Sequence, residues 1–252
     1  MGTQPRSLIR EVFSYVVIFL LLTIVLTFAL SQCHFHWNWE SVWKYRAKFY
    51  QGWCVTLGLA SGSLILSAWL GLLSALGQRS HLSFLRTLCK VYVALIRSTP
   101  LLVQILIFFY LVAEAFHLQN RWVAGVLILG LFSGAYVSEI IRSGLESIPQ
   151  IQWESARAIG LTPWQIHYYV VFPQALRQSL PALAGEFVSL IKNSSLLSVI
   201  GISELTLNAQ EVNSYTFSTL ESYLPLALGY LILTLPLAAV SGWLERRLHH
   251  ES

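Results

Sequence analysis

The residues of this chain able to do chemistry are charged and amide side chains set inside apolar runs. Arg97, Pro100, Gln104 and Phe108 recur at i, i+3, i+7 and i+11, which on a helix is one face. Tyr136, Glu139 and Ser143 share a face of a later run, and Glu186, Ser189 and Asn193 share one of the next. A charge held in hydrocarbon is expensive, so each retained one needs a partner or a polar cavity. A cavity lined by Arg97, Gln104, Tyr136, Glu139, Glu186, Ser189 and Asn193 would offer a zwitterion a cation for its carboxylate and an anion for its ammonium. The alternative is structural: Arg97 pairs with Glu139 or Glu186 to hold helices together, while Arg142 and Lys192 extend to the interfaces. Glu186 and Asn193 are the better cavity candidates, because their run is too polar to face lipid.

Other chemistries lack their parts. Ser-Gly pairs occur at Ser61, Ser133 and Ser143, but every histidine (His34, His36, His81, His117, His167, His249 and His250) falls outside the apolar runs. A buried base for an intramembrane serine nucleophile is therefore missing. No Gly-rich phosphate loop with its Lys-Ser/Thr ending is present. Cys33, Cys54 and Cys89 show neither metal spacing nor a C-x-x-C, so no metal site and no cofactor is expected, and nothing points to nucleic acid. The cysteines read as packing residues, with a Cys33–Cys54 disulfide at the outer surface as the alternative.

The elements that must position these residues are membrane helices. The chain is 55% hydrophobic and 11% charged, against about 25% charged in a soluble domain. All acidic residues are Glu, for which there is no physical account. A bilayer core needs about 20 apolar helical residues. Val12–Leu30, Gly52–Gly77, Val91–Ala113, Trp122–Ile141, Leu180–Ile200 and Ser222–Leu244 meet this, giving an all-α protein of about six spans. Val12–Leu30 is longer than a signal-peptide core and is followed by no small-x-small site, so it reads as a retained anchor.

Lys and Arg set the orientation. With the N-terminus inside, Arg6, Arg10, Arg79, Arg86, Lys90, Arg142, Arg157, Arg177, Arg246 and Arg247 are cytoplasmic, and only Lys44, Arg46, Lys48 and Arg121 lie outside. This is the positive-inside asymmetry, and it puts both termini in the cytoplasm. The segment His34–Phe49, with Trp37, Trp39, Trp43 and Tyr45, then lies at the outer interface as an anchoring helix or a contact for an external partner.

The same topology leaves residues 147–178 inside. Ser147 and Gln150 suggest a capped helix start, and Gly160 a left-handed stop. Thr162, Pro163 and Gln165 suggest a second start with a capping box, and Trp164, His167, Tyr168 and Val171 one apolar stripe. The expected product is a rigid helix–turn–helix in the cytoplasm.

This segment resembles the EAA loop of ABC-transporter permeases (Glu-Ala-Ala, three residues, Gly, nine residues, Ile-x-Leu-Pro). Glu154, Ala156, Gly160 and Pro173 stand at the matching positions, and Ser155, Val170 and Phe172 depart conservatively. Leu95–Gln104, Ala135–Gly144 with Ser147-Ile148-Pro149, and Glu186–Leu196 resemble further signatures of the permeases for polar amino acids, with Ser98 and Ser143 in place of Gly. The resemblance covers about residues 52–247 and leaves 1–51 as an added anchor helix and outer aromatic segment. It implies a five-helix importer core plus that helix, in a bacterial inner membrane. It also implies a separate ATPase docked on Glu154, Ala156, Gly160, Leu161, Pro163 and Pro173. A second permease subunit and a periplasmic or lipid-anchored amino-acid-binding protein complete the expected partners, and the chain itself would not be an enzyme. The rival transporter class is a proton-coupled carrier using Glu139 and Glu186, for which the usual internal repeat is not evident.

Overall fold

A computed structural model describes residues 5–32 and 37–249. The chain divides at Trp39 into two compact units. In the first, α1 (Pro5–Gln32) is one helix carrying the apolar stretch Phe13–Val25, and Trp37 stacks on Trp39 with ring centroids 5.7 Å apart. Cys33 and residues 34–36 of the aromatic segment, and with them the Cys33–Cys54 pairing, lie outside the described residues.

The second unit is built from α2 (Trp39–Trp43), α3 (Arg46–Gln78), α4 (Ser83–Ser98), α5 (Leu101–Ile107), α6 (Arg121–Glu146), α7 (Gln150–Ala158), α8 (Pro163–Gln165), α9 (Phe172–Asn193), α10 (Leu205–Thr216) and α11 (Thr219–His249). Two π-helical stretches, Phe108–Ala113 and Ile166–Val171, extend α5 and link α8 to α9, and the 3₁₀ turn Ser194–Ile200 follows α9. Among the described residues, Arg46–Gln78, Arg121–Glu146, Pro163–Ile200 and Thr219–Arg247 are long and apolar enough to cross a membrane. The pair α4 and α5 would make a fifth span, but the two helices meet at 111°.

That bend corrects the straight third span expected over Val91–Ala113. Pro100 lacks an amide hydrogen and disfavours helical geometry in the residue before it. Thr99 accordingly takes the extended conformation (φ −123°, ψ 145°) and α4 stops at Ser98. Arg97, Pro100, Gln104 and Phe108 therefore do not share one helical face.

The centre is the α3–α6 pair, brought close by small residues as membrane helices require. At Gly130 a Cβ would come within 2.5 Å of Leu66 Cδ2, so the helices approach at a distance that only glycine permits. Leu59, Ile105, Ile128, Leu129, Leu197 and Ile202 fill the space between α3, α5, α6 and the 3₁₀ turn. The apolar rows of α11 instead face outward, with Leu228, Ile232 and Leu235 exposed as lipid contact requires.

α3 begins six residues before the expected Gly52, at Arg46. Its first turns pack on α10: Asn208 Nδ2 donates to Lys48 O (2.8 Å), Leu205 N donates to Thr56 Oγ1 (3.2 Å), and Lys48 pairs with Glu211. α10 itself starts at Glu204, whose carboxylate accepts from Thr206 N and Leu207 N (2.8 Å each) and from Tyr230 Oη (3.0 Å). Burial pushes this carboxyl above its usual range, and the three donors oppose that shift.

Candidate functional site

Two places carry the polar chemistry: the hairpin between α6 and α9, and a cleft beside α4 and α6.

The hairpin opens differently from the expectation. Pro149 keeps Ile148 out of a helix and is itself the first flanking residue of α7, with φ −57°, ψ 141° and no side-chain cap. Ser147 therefore belongs to the end of α6. Its hydroxyl donates to Gly144 O (2.8 Å) and pairs with the Gln178 side chain, tying α6 to α9. α7 ends as Gly160 suggested: φ is +85°, Gly160 N donates to Arg157 O (3.0 Å) and Leu161 N to Ala156 O (3.2 Å). These are the two hydrogen bonds of a Schellman stop. Beyond it, Thr162 and Gln165 form the expected capping box, with Thr162 N donating to Gln165 Oε1 (2.8 Å) and Pro163 in the first helical position.

The hairpin has its own small core of Ile148, Ala156, Ile166, Val171 and Ala175. Ile166 and Val171 are i and i+5, an inward spacing that the π-helical stretch creates and an α-helix does not. This corrects the stripe expected at Trp164, His167, Tyr168 and Val171. Val171 is buried and His167 meets Trp153 edge-on (5.0 Å), while Trp164 and Tyr168 stack on each other outside. Of the expected docking residues, Glu154, Gly160, Pro163 and Pro173 are exposed and Leu161 is half-buried. Ala156 is only 4% exposed and packs inside the hairpin core with Ile148, Ile166, Val171 and Ala175. Ile151, Ile159 and Tyr169, which no sequence pattern singled out, are exposed alongside Trp164, Tyr168 and Phe172.

The cleft has a volume of about 710 Å³, and Arg97, Tyr136 and Glu139 all line it. Arg97 Nη1 reaches Glu139 Oε2 at 2.8 Å and lies 5.7 Å from the centre of the Tyr136 ring. Glu139 is also held by Arg142, at 2.6 Å to Nε and 3.0 Å to Nη2, and Arg142 in turn meets Glu146 at 2.5 Å. Arg97 thus has the Glu139 partner that the sequence offered it, and a chain of alternating charges joins α4 to α6. Arg79, Lys90 and Glu146, which also line the cleft, were not among the sequence candidates. The available signal was Lys90 and Arg97 at i and i+7 on α4.

The remaining candidates lie elsewhere. Gln104 turns back on the bend, its amide donating to Ile96 O (2.7 Å), Thr99 O (3.0 Å) and Thr99 Oγ1 (2.8 Å). These carbonyls are left open where α4 stops, so the side chain closes the break. Glu186 accepts from Ser133 Oγ (2.8 Å), joining α9 to α6, and Ser189 bonds back to Gly185 O (3.1 Å). Asn193 sits where α9 gives way to the 3₁₀ turn. None of Gln104, Glu186, Ser189 and Asn193 lines the cleft.

Comparisons with known proteins agree with this geometry. Residues 67–250 match the family described as binding-protein-dependent transport system inner membrane component. The chain is 40% identical over 194 residues to the L-cystine transport system permease protein TcyB of Bacillus subtilis (strain 168), covering 77% of this chain and 83% of that one. It is 34% identical over 218 residues to the glutamine transport system permease protein GlnP of Escherichia coli (strain K12), covering 84% and 97%. Among solved structures, an amino acid ABC transporter crystallised with histidines superposes with a TM-score of 0.78 at 35% identity, over 84% of this chain and all of that one. The inward-facing MetNI methionine ABC transporter, at 19% identity and a TM-score of 0.60, shares the fold. An all-helical membrane unit with a capped hairpin and a charged cleft, matched along most of its length, belongs to the binding-protein-dependent inner membrane components, as an ABC permease for polar amino acids.

Proposed function

We propose that this chain forms the translocation path of an ATP-driven importer for polar amino acids and takes its energy from a separate ATPase docked on residues 147–178. The observation that carries this reading is the hairpin. It is stopped by a Schellman turn, restarted by a capping box and filled by its own core, yet it presents Ile159, Trp164 and Tyr168 to solvent. Exposed apolar surface on a rigid support is what a docking element needs. Both helices leaving it run to polar groups, α6 to Glu139 and Arg142 and α9 to Glu186, so movement of the hairpin reaches the interior directly.

In this reading the hairpin and both termini are cytoplasmic, a second permease copy or homologue completes the path, and a binding protein delivers substrate from outside. The cleft over Arg97, Tyr136 and Glu139 is the inner end of the path, and Glu186, Ser189 and Asn193 line its deeper part. The relatives carry L-cystine or glutamine by name, and the solved transporter holds histidines, which supports an amino acid as the cargo.

The test is purification of the chain with its ATPase and reconstitution in liposomes with the binding protein. Uptake should require ATP, stop with vanadate and persist with a protonophore. Uptake driven by a pH gradient without ATP would instead establish the proton-coupled class.

A further inference from the structure

Glu139 and Glu146 are the carboxylates among the residues lining the cleft, and both are already engaged. Glu139 is held by Arg97 and Arg142, and Glu146 by Arg142. The cations are not balanced in the same way. Arg79, at the end of α3, and Lys90, on α4, line the same cleft, and among the described residues no carboxylate pairs with either. The lining carries four cations (Arg79, Lys90, Arg97, Arg142) against two carboxylates (Glu139, Glu146). What is left uncommitted is therefore positive at two separate points.

We infer that the cleft selects amino acids without a cationic side chain and favours those bearing a second carboxylate, with Arg79 and Lys90 as the discriminating residues. This rests on the reading of the cleft as the inner end of the path. A second carboxylate finds Arg79 or Lys90 unpaired. A guanidinium or ammonium on the side chain finds only carboxylates already bound, and must displace Arg97 or Arg142 to use them. Like charge in a shared cavity disfavours entry, as it does across any interface. Arg97, Glu139 and Arg142 fall within the segments that resemble general signatures of polar amino acid permeases and are already paired with one another, whereas Arg79 and Lys90 stand outside those segments and are unpaired among the described residues. Each exposed charge contributes a few-fold at most, so the pair together is expected to set a preference of roughly tenfold.

The experiment uses the purified permease–ATPase complex in lipid nanodiscs without binding protein, with direct binding of glutamate, glutamine and arginine measured by equilibrium dialysis. Glutamate should bind most tightly and arginine roughly tenfold or more weakly. In the double variant Arg79→Gln, Lys90→Gln, checked for intact assembly by size exclusion, the glutamate-to-arginine ratio should collapse toward one. Arginine binding as tightly as glutamate overturns this inference and leaves the path reading standing. An unchanged ratio in the variant overturns the assignment to Arg79 and Lys90. Binding of none of the three overturns the path reading of the cleft and this inference with it.

Discussion

At the scale of single residues, Gly160 joins the sequence motif to the hairpin most directly. Its φ of +85° lies where a β-branched residue is strained, while nothing stands within 4 Å of the position a Cβ would take. The cost of substitution is therefore conformational rather than steric, about 1–2 kcal/mol for an ordinary L-residue in the left-handed region. Uptake by the reconstituted transporter should fall in the order Asn, Ala, Val at position 160, because Asn tolerates that region best. Amounts in the membrane should stay equal. Equal uptake by all three would remove the turn from coupling. The glycine stop was legible from one residue, since few others end a helix that way. The inward place of Ala156 was not, because a motif spacing fixes neighbours along the chain and says nothing about which side of a hairpin they face.

At the scale of elements, the break between α4 and α5 ends the helix that carries Lys90, Arg97 and Ser98 along the cleft, and Gln104 is what closes that break. Its donations reach Ile96 O and Thr99 O, carbonyls that no helical amide serves, and Thr99 Oγ1, which itself donates to Leu95 O. Of these only the Ile96 bond is half-buried, and leaving a buried acceptor open costs about 1–3 kcal/mol. Gln104→Leu should therefore loosen the bend. Spin labels on Leu88 and Tyr110, both exposed, should give a broader distance distribution in this variant than in the parent by pulsed electron resonance. An unchanged distribution would show that Pro100 alone maintains the angle. Periodicity placed Gln104 on a cavity face because it assumed an unbroken helix. The Ser-Thr-Pro sequence before it was the sign that the helix ends there, as the residue preceding a proline avoids helical geometry.

At the scale of the whole molecule, length and hydropathy made the long helices legible, and the Lys and Arg distribution suggested their direction. Their ends were read less well: α3 extends to Arg46 because α10 supplies partners beyond the apolar run, through Asn208 and Glu211. Such a tertiary partner leaves no trace in the local pattern. The expected topology is checked by replacing Cys33, Cys54 and Cys89 and introducing Gln152→Cys or Ser214→Cys, both at exposed positions. An impermeant thiol reagent on intact spheroplasts should label position 214 and spare 152. The reverse pattern would invert the orientation and detach the hairpin from any cytoplasmic ATPase.

The π-helical stretch Ile166–Val171 has a consequence for how such hairpins diverge. A π-turn amounts to one residue inserted into an α-helix. Losing that residue would rotate everything before it by about 100° relative to α9, the angle each residue subtends in an α-helix. Trp164 and Tyr168 would swing to another side of the axis with no change in their own identities. For the docking role proposed above, fit to an ATPase thus has a phase as well as a chemistry, and a single insertion or deletion here re-aims the surface as a point substitution cannot.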